Sequence, residues 1–92
     1  MASHYGVGDG YHNRTAADGS RFNAYGLTTA HRWAPFGSKF RVTNPRNGRS
    51  VVVRVTDRGS FVPGRVLDLS YGAFGTIADP GQGVASICFE RI

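Results

Sequence analysis

The stretch that most restricts the fold is VVVRVTDRG at residues 51–59. Its four valines, with Arg54 among them, form a β-branched run that is typical of a largely buried strand in a small β domain. The strand leads directly into Asp57, and Gly59 then lets the backbone turn sharply. The sequence therefore predicts a carboxylate held on a rigid strand at an edge of the fold. Because aspartate is also common in turns, a purely structural role for Asp57 is the alternative.

A second carboxylate, Asp68, follows a Pro-Gly turn and the short apolar run Val66-Leu67. We therefore expect Asp57 and Asp68 to leave two adjacent strands. Asp68 also lies two residues before Ser70, at the start of a possible short helix. Its alternative role is to accept backbone N–H groups there, because the helix dipole favours negative charge at that end.

Length and composition favour one small β domain spanning residues 1–92. Hydrophobic residues make up 40% of the chain and charged residues 18%, which is typical of a folded protein. The 13 glycines and four prolines are scattered, which indicates many turns and few long helices. We predict a mainly β fold, an all-β barrel or sandwich.

The pattern of apolar residues predicts mostly strands and one late helix. Asn47-Gly48 is a strong hairpin signal, so the strand before it should pair antiparallel with the strand after it. Tyr71, Phe74 and Ile77 fall on one face of a short helix over 71–78, with Ser70 as its cap. The predicted strands are 3–7, 27–31, 39–43, 50–56 and a last strand over 83–91.

The chain is strongly basic, with a net charge of +5 and a pI of about 10.2. Such a surface attracts polyanions, including nucleic acid, anionic lipid, teichoic acid and the carboxylates of peptidoglycan. Ten of the 11 basic residues are arginine and they are dispersed, which is equally consistent with genome composition alone. No stacking platform or basic stripe accompanies the charge, so we predict that nucleic acid is not a partner.

Cysteine and histidine usage excludes several classes of protein. Cys88 is the single cysteine, so an intramolecular disulfide is impossible. The spacing of His4, His12 and His31 does not fit a zinc site, and we expect neither a metal nor another cofactor. We also expect a monomer without a membrane span, because no apolar run approaches about 18 residues. The first residues do not form a signal peptide, as expected of a trimmed chain or a domain of a longer precursor.

Three side chains could carry chemistry: His31 and Asp57, each at a strand end, and Asp68. Carboxylates are the usual acids and bases for cleaving glycosidic bonds, because a poor alkoxide leaving group needs a positioned acid. A lone histidine beside Trp33 is more often a structural hydrogen-bonding residue. A cysteine nucleophile is poorly supported, because no base lies near Cys88 in the sequence.

Short motifs occur in a fixed order through residues 3–92, and together they resemble a known family. They include LTTAH at 27–31, PFGS at 35–38, GRVLDLS at 64–70 and, most specifically, NGRSVVVRVTDRG at 47–59. In this order they resemble the double-psi β-barrel domain of the rare lipoprotein A family. The resemblance implies a six-stranded double-psi β-barrel with one or two short helices, related to expansin and barwin domains.

The resemblance also implies a place and a reaction. Members are exported to the bacterial cell envelope, periplasm or medium. Some are lytic transglycosylases that act on the glycan strands of peptidoglycan, and others only bind. In the reaction one acid/base protonates the glycosidic oxygen, and the C6 hydroxyl of muramic acid closes a 1,6-anhydro ring in place of attack by water.

Residues are carried over by position. Asp57 matches the essential aspartate and His31 the histidine of the family, and Asp68 matches the aspartate of the DLS motif. We expect Asp57 to be the general acid/base, with His31 and Asp68 orienting the substrate or tuning the acid. Substrate contacts are expected from Tyr5, Tyr11, Thr15, Ser20, Trp33 and Arg58.

Ser20 is a departure from the family, because it occupies the position of a family glutamate. Loss of that carboxylate favours a non-catalytic, expansin-like module that binds peptidoglycan or a related polysaccharide. Retention of His31 and Asp57 favours the enzyme. We therefore carry both hypotheses, with the lytic transglycosylase first.

Overall fold

A computed structural model gives the fold of residues 2–5, 14–59 and 67–92, which are the residues it describes. They form a mainly β structure with one α-helix and one short 3-10 helix. The strands are β1 Ala2–Tyr5, β2 Thr28–His31, β3 Lys39–Thr43, β4 Ser50–Asp57, β5 Leu67–Ser70, β6 Val84–Ala85 and β7 Cys88–Arg91; the helices are α1 Tyr71–Ile77 and the 3-10 helix η1 Pro80–Gln82.

The strands form one sheet with the order β6-β1-β5-β2-β4-β3-β7. The pairs β1–β5 and β2–β4 are parallel, and the other neighbours are antiparallel. The predicted hairpin is confirmed, because β3 and β4 pair antiparallel from Thr43 opposite Ser50 to Lys39 opposite Arg54. Gly48, in the connecting turn, has a φ of 73°, a conformation that favours glycine.

The core lies on the face of the sheet to which the alternating apolar side chains point. In β4, Val51, Val53 and Val55 are buried, whereas Val52 and Arg54 are exposed, as a strand period of two requires. The largest buried side chains come from β5 and α1: Leu67, Leu69, Phe74 and Ile77. A second, smaller cluster contains Ala16, Phe22 and Ala24, with Tyr5 and Tyr71 packed against it.

Helix α1 begins where the sequence predicts and ends one residue earlier. Ser70 is its cap, and the Ser70 hydroxyl accepts a hydrogen bond from the backbone N–H of Ala73 at 3.2 Å. Ser70 is the capping residue at this helix start, and the alternative role of Asp68 there stays a prediction. No helix in the described ranges is long and apolar enough to cross a membrane.

The prediction of a single last strand over 83–91 is wrong. Residues 84–85 pair with β1, whereas residues 88–91 pair with β3, and β1 and β3 lie in different parts of the sheet. One straight strand cannot pair with both β1 and β3, so the strand is interrupted at residues 86–87. This division explains why the described residues contain seven strands in place of the expected six.

The expectation that Asp57 and Asp68 leave adjacent strands is also wrong. They lie on β4 and β5, and β2 lies between these strands. The parallel pairing of β2 with β4 and its antiparallel pairing with β5 place it there. The first predicted strand, 3–7, begins at Ala2 and extends to Tyr5, beyond which residues 6–13 are outside the described part of the chain.

Candidate active site

Ala30 is the point about which the two carboxylates are arranged. It pairs with Asp57 on one side and with Asp68 on the other. Because paired strands lie about 5 Å apart, the Cα atoms of the two aspartates are about 10 Å apart. The sheet therefore places both carboxylates at one level, on either side of a small alanine side chain.

A cavity of about 130 Å³ lies between these groups. Its lining contains two acidic residues, one basic residue, one tyrosine and one alanine. The lining residues are Tyr5, Ala30, Asp57, Arg58 and Asp68.

Asp57 is half-buried at the end of β4, and backbone groups hold its carboxylate. Its Oδ1 atom accepts hydrogen bonds from the N–H of Arg58 at 3.0 Å and the N–H of Ala17 at 3.3 Å. The first bond is local and joins consecutive residues at the end of β4. The second bond comes from a distant loop, so Asp57 also fixes that loop at the cavity. Gly59 has a φ of 134°, a conformation that favours glycine.

Asp68 and Tyr5 complete the opposite wall of the cavity. The hydroxyl of Ser3 donates a hydrogen bond of 3.0 Å to Asp68 Oδ1 across the β1–β5 pair. The ring of Tyr5 stacks on Phe22, with 4.8 Å between ring centroids and 15° between ring planes. Both side chains are thus restrained before any ligand binds.

Arg58 connects the cavity to the loop that follows β2. Its guanidinium donates to the backbone carbonyls of Ala34 at 2.8 Å and His31 at 3.3 Å. The guanidinium carbon also lies 3.9 Å from the centroid of the Phe36 ring, a favourable cation–π contact. Arg58 therefore orders residues 31–36 while remaining part of the cavity lining.

His31 lies beneath the surface, and it is not among the residues that line the cavity. Its Nδ1 atom accepts two hydrogen bonds, from the N–H of Ala34 at 3.0 Å and the N–H of Trp33 at 3.2 Å. Two donors facing Nδ1 require a neutral ring with its proton on Nε2. The ring also stacks parallel to Phe40 at 5.5 Å. In this arrangement His31 shapes the loop after β2.

Burial lowers the pKa of His31 below its ordinary value of 6.5, and the positive charge of Arg58 lowers it further. As the pH falls below this ordinary value, the unfolded chain binds a proton at His31 before the folded protein does. Protonation therefore favours the unfolded state, and stability decreases with decreasing pH. At higher pH the residue is neutral in both states and has no such effect.

We expect the melting temperature to fall between about pH 7 and pH 5, and the His31→Asn variant to lose part of this slope. Asparagine has an acceptor oxygen for the same backbone N–H groups and does not titrate. Thermal melting of both proteins over this range provides the measurement. An equal slope in the two proteins would show that His31 does not contribute to the pH dependence.

The other predicted contact residues lie in different places. Trp33 is 76% exposed and packs edge-on against the His31 ring at 4.7 Å. Thr15 is exposed and forms an isolated bridge with Arg21. Ser20 lines a second, neighbouring cavity. Tyr11 lies outside the described residues.

Sequence reasoning missed several residues that surround the two aspartates. Ser3 bonds to Asp68, and Ala17 bonds to Asp57, but neither belongs to a recognisable local motif. Arg54 was noted only as an interruption of the valine run. Its exposed position in an alternating strand was the signal that could have identified it. Across the described ranges, groups of three or more His, Cys, Asp or Glu side chains that could hold a metal ion do not occur.

Comparison with known proteins identifies a family and curated relatives. Residues 2–89 match the family described as "Lytic transglycolase". A protein of Nostoc sp. named "Probable endolytic peptidoglycan transglycosylase RlpA" is 56% identical, over 98% of this chain and 24% of its own length. "Endolytic peptidoglycan transglycosylase RlpA" of Pseudomonas aeruginosa is 43% identical, over 99% of this chain and 26% of its own length. The chain thus spans about a quarter of these relatives.

Two solved structures resemble the fold. Streptomyces papain inhibitor has a TM-score of 0.75 and 23% identity, covering 99% of this chain and 89% of the inhibitor. A mutant expansin of Clavibacter michiganensis, in complex with cellohexaose, has a TM-score of 0.76 and 26% identity, covering 99% of this chain and 48% of the expansin. With the family match, these similarities identify the fold as a double-psi β-barrel.

Proposed function

Because this chain belongs to the lytic transglycolase family, we propose that it cleaves the glycan strands of peptidoglycan as a lytic transglycosylase. The observation that carries the proposal is the cavity in which Asp57 and Asp68 lie on either side of Ala30. The names of the curated relatives support the same reaction. We place the protein in the bacterial cell envelope, where this substrate occurs.

In the proposed mechanism Asp57 is the single acid/base. Its protonated carboxyl gives a proton to the glycosidic oxygen as the bond from that oxygen to C1 breaks. The resulting carboxylate then takes the proton of the muramyl C6 hydroxyl as O6 bonds to C1. The new bond closes the 1,6-anhydro ring, the proton returns to Asp57, and water is not consumed.

The contacts of Asp57 support this role. Both hydrogen bonds from backbone N–H groups go to Oδ1, which fixes the plane of the carboxyl group. A fixed plane presents the second oxygen, Oδ2, to a substrate in the cavity. Positioning of this kind removes much of the entropic cost of proton transfer in the complex.

The neighbouring residues would hold the glycan. Asp68 can accept hydrogen bonds from sugar hydroxyls, and Arg58 can donate to them; both groups are already restrained by protein contacts. The exposed ring of Trp33 offers a flat face on which a sugar ring can pack. His31 contributes by positioning the loop that carries Trp33. We retain Tyr11 as a predicted contact.

The alternative function is a module that binds the glycan without cleaving it. Two observations favour it. A mutant expansin with 26% identity and a TM-score of 0.76 was solved in complex with cellohexaose. In addition, Ser20 lines a neighbouring cavity, separate from that of Asp57, and the resemblance to the family implies a glutamate at its position.

Product analysis separates the two functions. The protein is incubated with purified peptidoglycan, either intact or stripped of its peptides, and the soluble products are analysed by mass spectrometry. A transglycosylase releases fragments that end in 1,6-anhydro-muramic acid. Protein that sediments with the glycan but releases no fragments would contradict the enzymatic function and support the binding module.

A further inference from the structure

A second cavity, of about 180 Å³, lies next to the cavity of the two aspartates. Consecutive residues of β4 line the two cavities, Thr56 the second and Asp57 the first. The loop that contains Ala17 and Asp18 is fixed at these two residues. Ala17 N–H donates to Asp57 Oδ1 at 3.3 Å, and Asp18 N–H donates to the Thr56 carbonyl at 3.0 Å.

Two threonines that line the second cavity have buried hydroxyl groups with no hydrogen-bond partner in residues 2–5, 14–59 and 67–92. The register between β2 and β4 shifts so that Thr29 pairs with Val55 and Ala30 with Asp57, which leaves Thr56 as an extra residue in a bulge. Thr56 is 2% exposed, and its hydroxyl is buried without a hydrogen-bond partner among the described residues. The hydroxyl of Thr28 is also buried and has no partner in the same part of the chain, and both residues line the cavity.

Buried hydroxyls of this kind are costly to leave unpaired, so they point to a ligand that accepts or donates hydrogen bonds. The remaining polar lining consists mainly of donors. Arg21 and Arg54 supply guanidinium groups. The side-chain oxygen of Asn23 accepts the Tyr25 N–H at 3.0 Å, which leaves its amide N–H groups to donate.

The charge of the lining fits an anion with one negative charge. Among the described residues the ion pair within 4 Å is Arg41–Glu90, so neither Arg21 nor Arg54 forms an ion pair within that distance there. Asp18 lies farther from Arg54 but still interacts with its charge. Burial raises the pKa of Asp18, but hydrogen bonds from Ser20 and the charge of Arg54 outweigh it and lower the pKa. Asp18 is thus an anion that offsets one of the two guanidinium charges.

We propose that this second cavity binds a carboxylate group carried by the glycan substrate. Two guanidiniums, two threonine hydroxyls and an amide supply donors for both carboxylate oxygens. The volume has room for about six water molecules at about 30 Å³ each, which suits a carboxylate on a short carbon stem. The buried ring of Phe22 supplies an apolar wall for that stem.

This inference rests on the proposed function, because it assigns a second contact to the same substrate. Thr56 and Asp57 are consecutive in the chain. A substrate carboxylate bound at Thr56 therefore determines which glycosidic bond lies near Asp57. The carboxylate can come from the lactyl group of muramic acid, where the stem peptide has been removed, or from the stem peptide itself.

The first experiment measures binding without catalysis. N-acetylmuramic acid carries a lactyl carboxylate that N-acetylglucosamine lacks. In NMR titrations we expect N-acetylmuramic acid, but not N-acetylglucosamine, to shift the amide signals of Thr28, Arg54 and Thr56. Equal shifts with both sugars, or shifts confined to Ala30 and Asp68, would overturn the proposal.

Variants test the lining directly. Arg54→Gln removes one charge-assisted donor, and we expect a loss of affinity for N-acetylmuramic acid of about tenfold to a hundredfold. Arg49→Gln is the matched control, because it removes the same charge from an exposed residue of the β3–β4 turn. Thr56→Val keeps the shape of the side chain and removes the hydroxyl. We expect Thr56→Val to weaken binding without lowering the melting temperature. If Arg49→Gln weakened binding as much as Arg54→Gln does, the assignment of the second cavity would be contradicted.

The source of the carboxylate is tested with polymers. Binding to peptide-free glycan is compared with binding to the same glycan after its carboxylates are amidated, and with binding to intact peptidoglycan. Loss on amidation assigns the lactyl group, whereas tighter binding to intact peptidoglycan assigns the peptide. Unchanged binding in all three would overturn the proposal. These experiments measure binding and not cleavage. Their results can therefore be interpreted even if the protein does not cleave the glycan.

Discussion

Replacement of Asp57 by Asn is expected to lower the rate of glycan cleavage by a factor of about 10² to 10⁴ while leaving glycan binding and the melting temperature unchanged. Asparagine has the same shape, and its Oδ1 atom can still accept from the N–H groups of Ala17 and Arg58. Its amide group cannot give a proton to the glycosidic oxygen. The substitution therefore removes the acid and preserves these two hydrogen bonds.

The rate is measured as anhydro-muramyl ends released from peptide-free glycan, and binding is measured by co-sedimentation. Glu90→Gln is a suitable control, because it removes the same charge from an exposed residue whose ion pair with Arg41 is on the surface. A cleavage rate that is the same in Asp57→Asn and Glu90→Gln would exclude Asp57 as the acid. A parallel loss of binding would indicate that Asp57 mainly holds the substrate.

Much of the local structure was predictable because the signals are short-range. The alternation of Phe40 and Val42 and the valines of β4 identify a half-buried hairpin, and Asn47-Gly48 marks its turn. Ser70 followed by an apolar stripe identifies α1. Each of these signals depends on residues that are close in sequence, so a single chain contains enough information to read them.

The arrangement of the strands was not predictable from period or composition. Whether β2 pairs with β4, β5 or both depends on contacts between residues that are far apart in the sequence. The prediction that Asp57 and Asp68 leave adjacent strands was wrong for this reason. The resemblance of the motifs to a known family supplied the fold class, which local patterns alone left open between a barrel and a sandwich.

The second cavity shows the same limit within the site. The bulge at Thr56 results from a register shift between two strands, and no residue type in TDRG signals it. Thr28 likewise shares this cavity with Phe22 and Arg54, an arrangement that no local pattern around Thr28 signals. Arg54 could have been selected from the strand alternation, but its partners in the cavity could not.

Substitutions of two glycines in α1 test how closely this helix packs against the backbone of Tyr25. Gly72→Ala and Gly75→Ala both introduce a residue with higher helix propensity, which by itself stabilises a helix by about 0.5–1 kcal/mol. A Cβ at Gly75 would lie 3.6 Å from Pro80 Cγ, an ordinary contact. A Cβ at Gly72 would lie only 2.5 Å from the backbone carbonyl oxygen of Tyr25.

We therefore expect the two variants to change stability in opposite directions. Gly75→Ala should raise the free energy of unfolding by about 0.5–1 kcal/mol. In Gly72→Ala the backbone of Tyr25 must move, and overpacking of this kind costs about 1–3 kcal/mol, which exceeds the gain in propensity. For a domain of this size each kcal/mol corresponds to roughly 4–8 °C in melting temperature, so the difference is measurable by thermal or denaturant unfolding.

The cost at Gly72 should extend beyond the helix. Gly72 N–H donates to the Ala24 carbonyl at 2.8 Å, so the helix start and the segment containing Phe22 and Asn23 are held together. Displacing Tyr25 moves that segment, and we expect Gly72→Ala, but not Gly75→Ala, also to weaken binding of N-acetylmuramic acid. If both variants are more stable than the parent protein, the close approach of α1 to Tyr25 is incorrect, and the second cavity would lose the support of that contact.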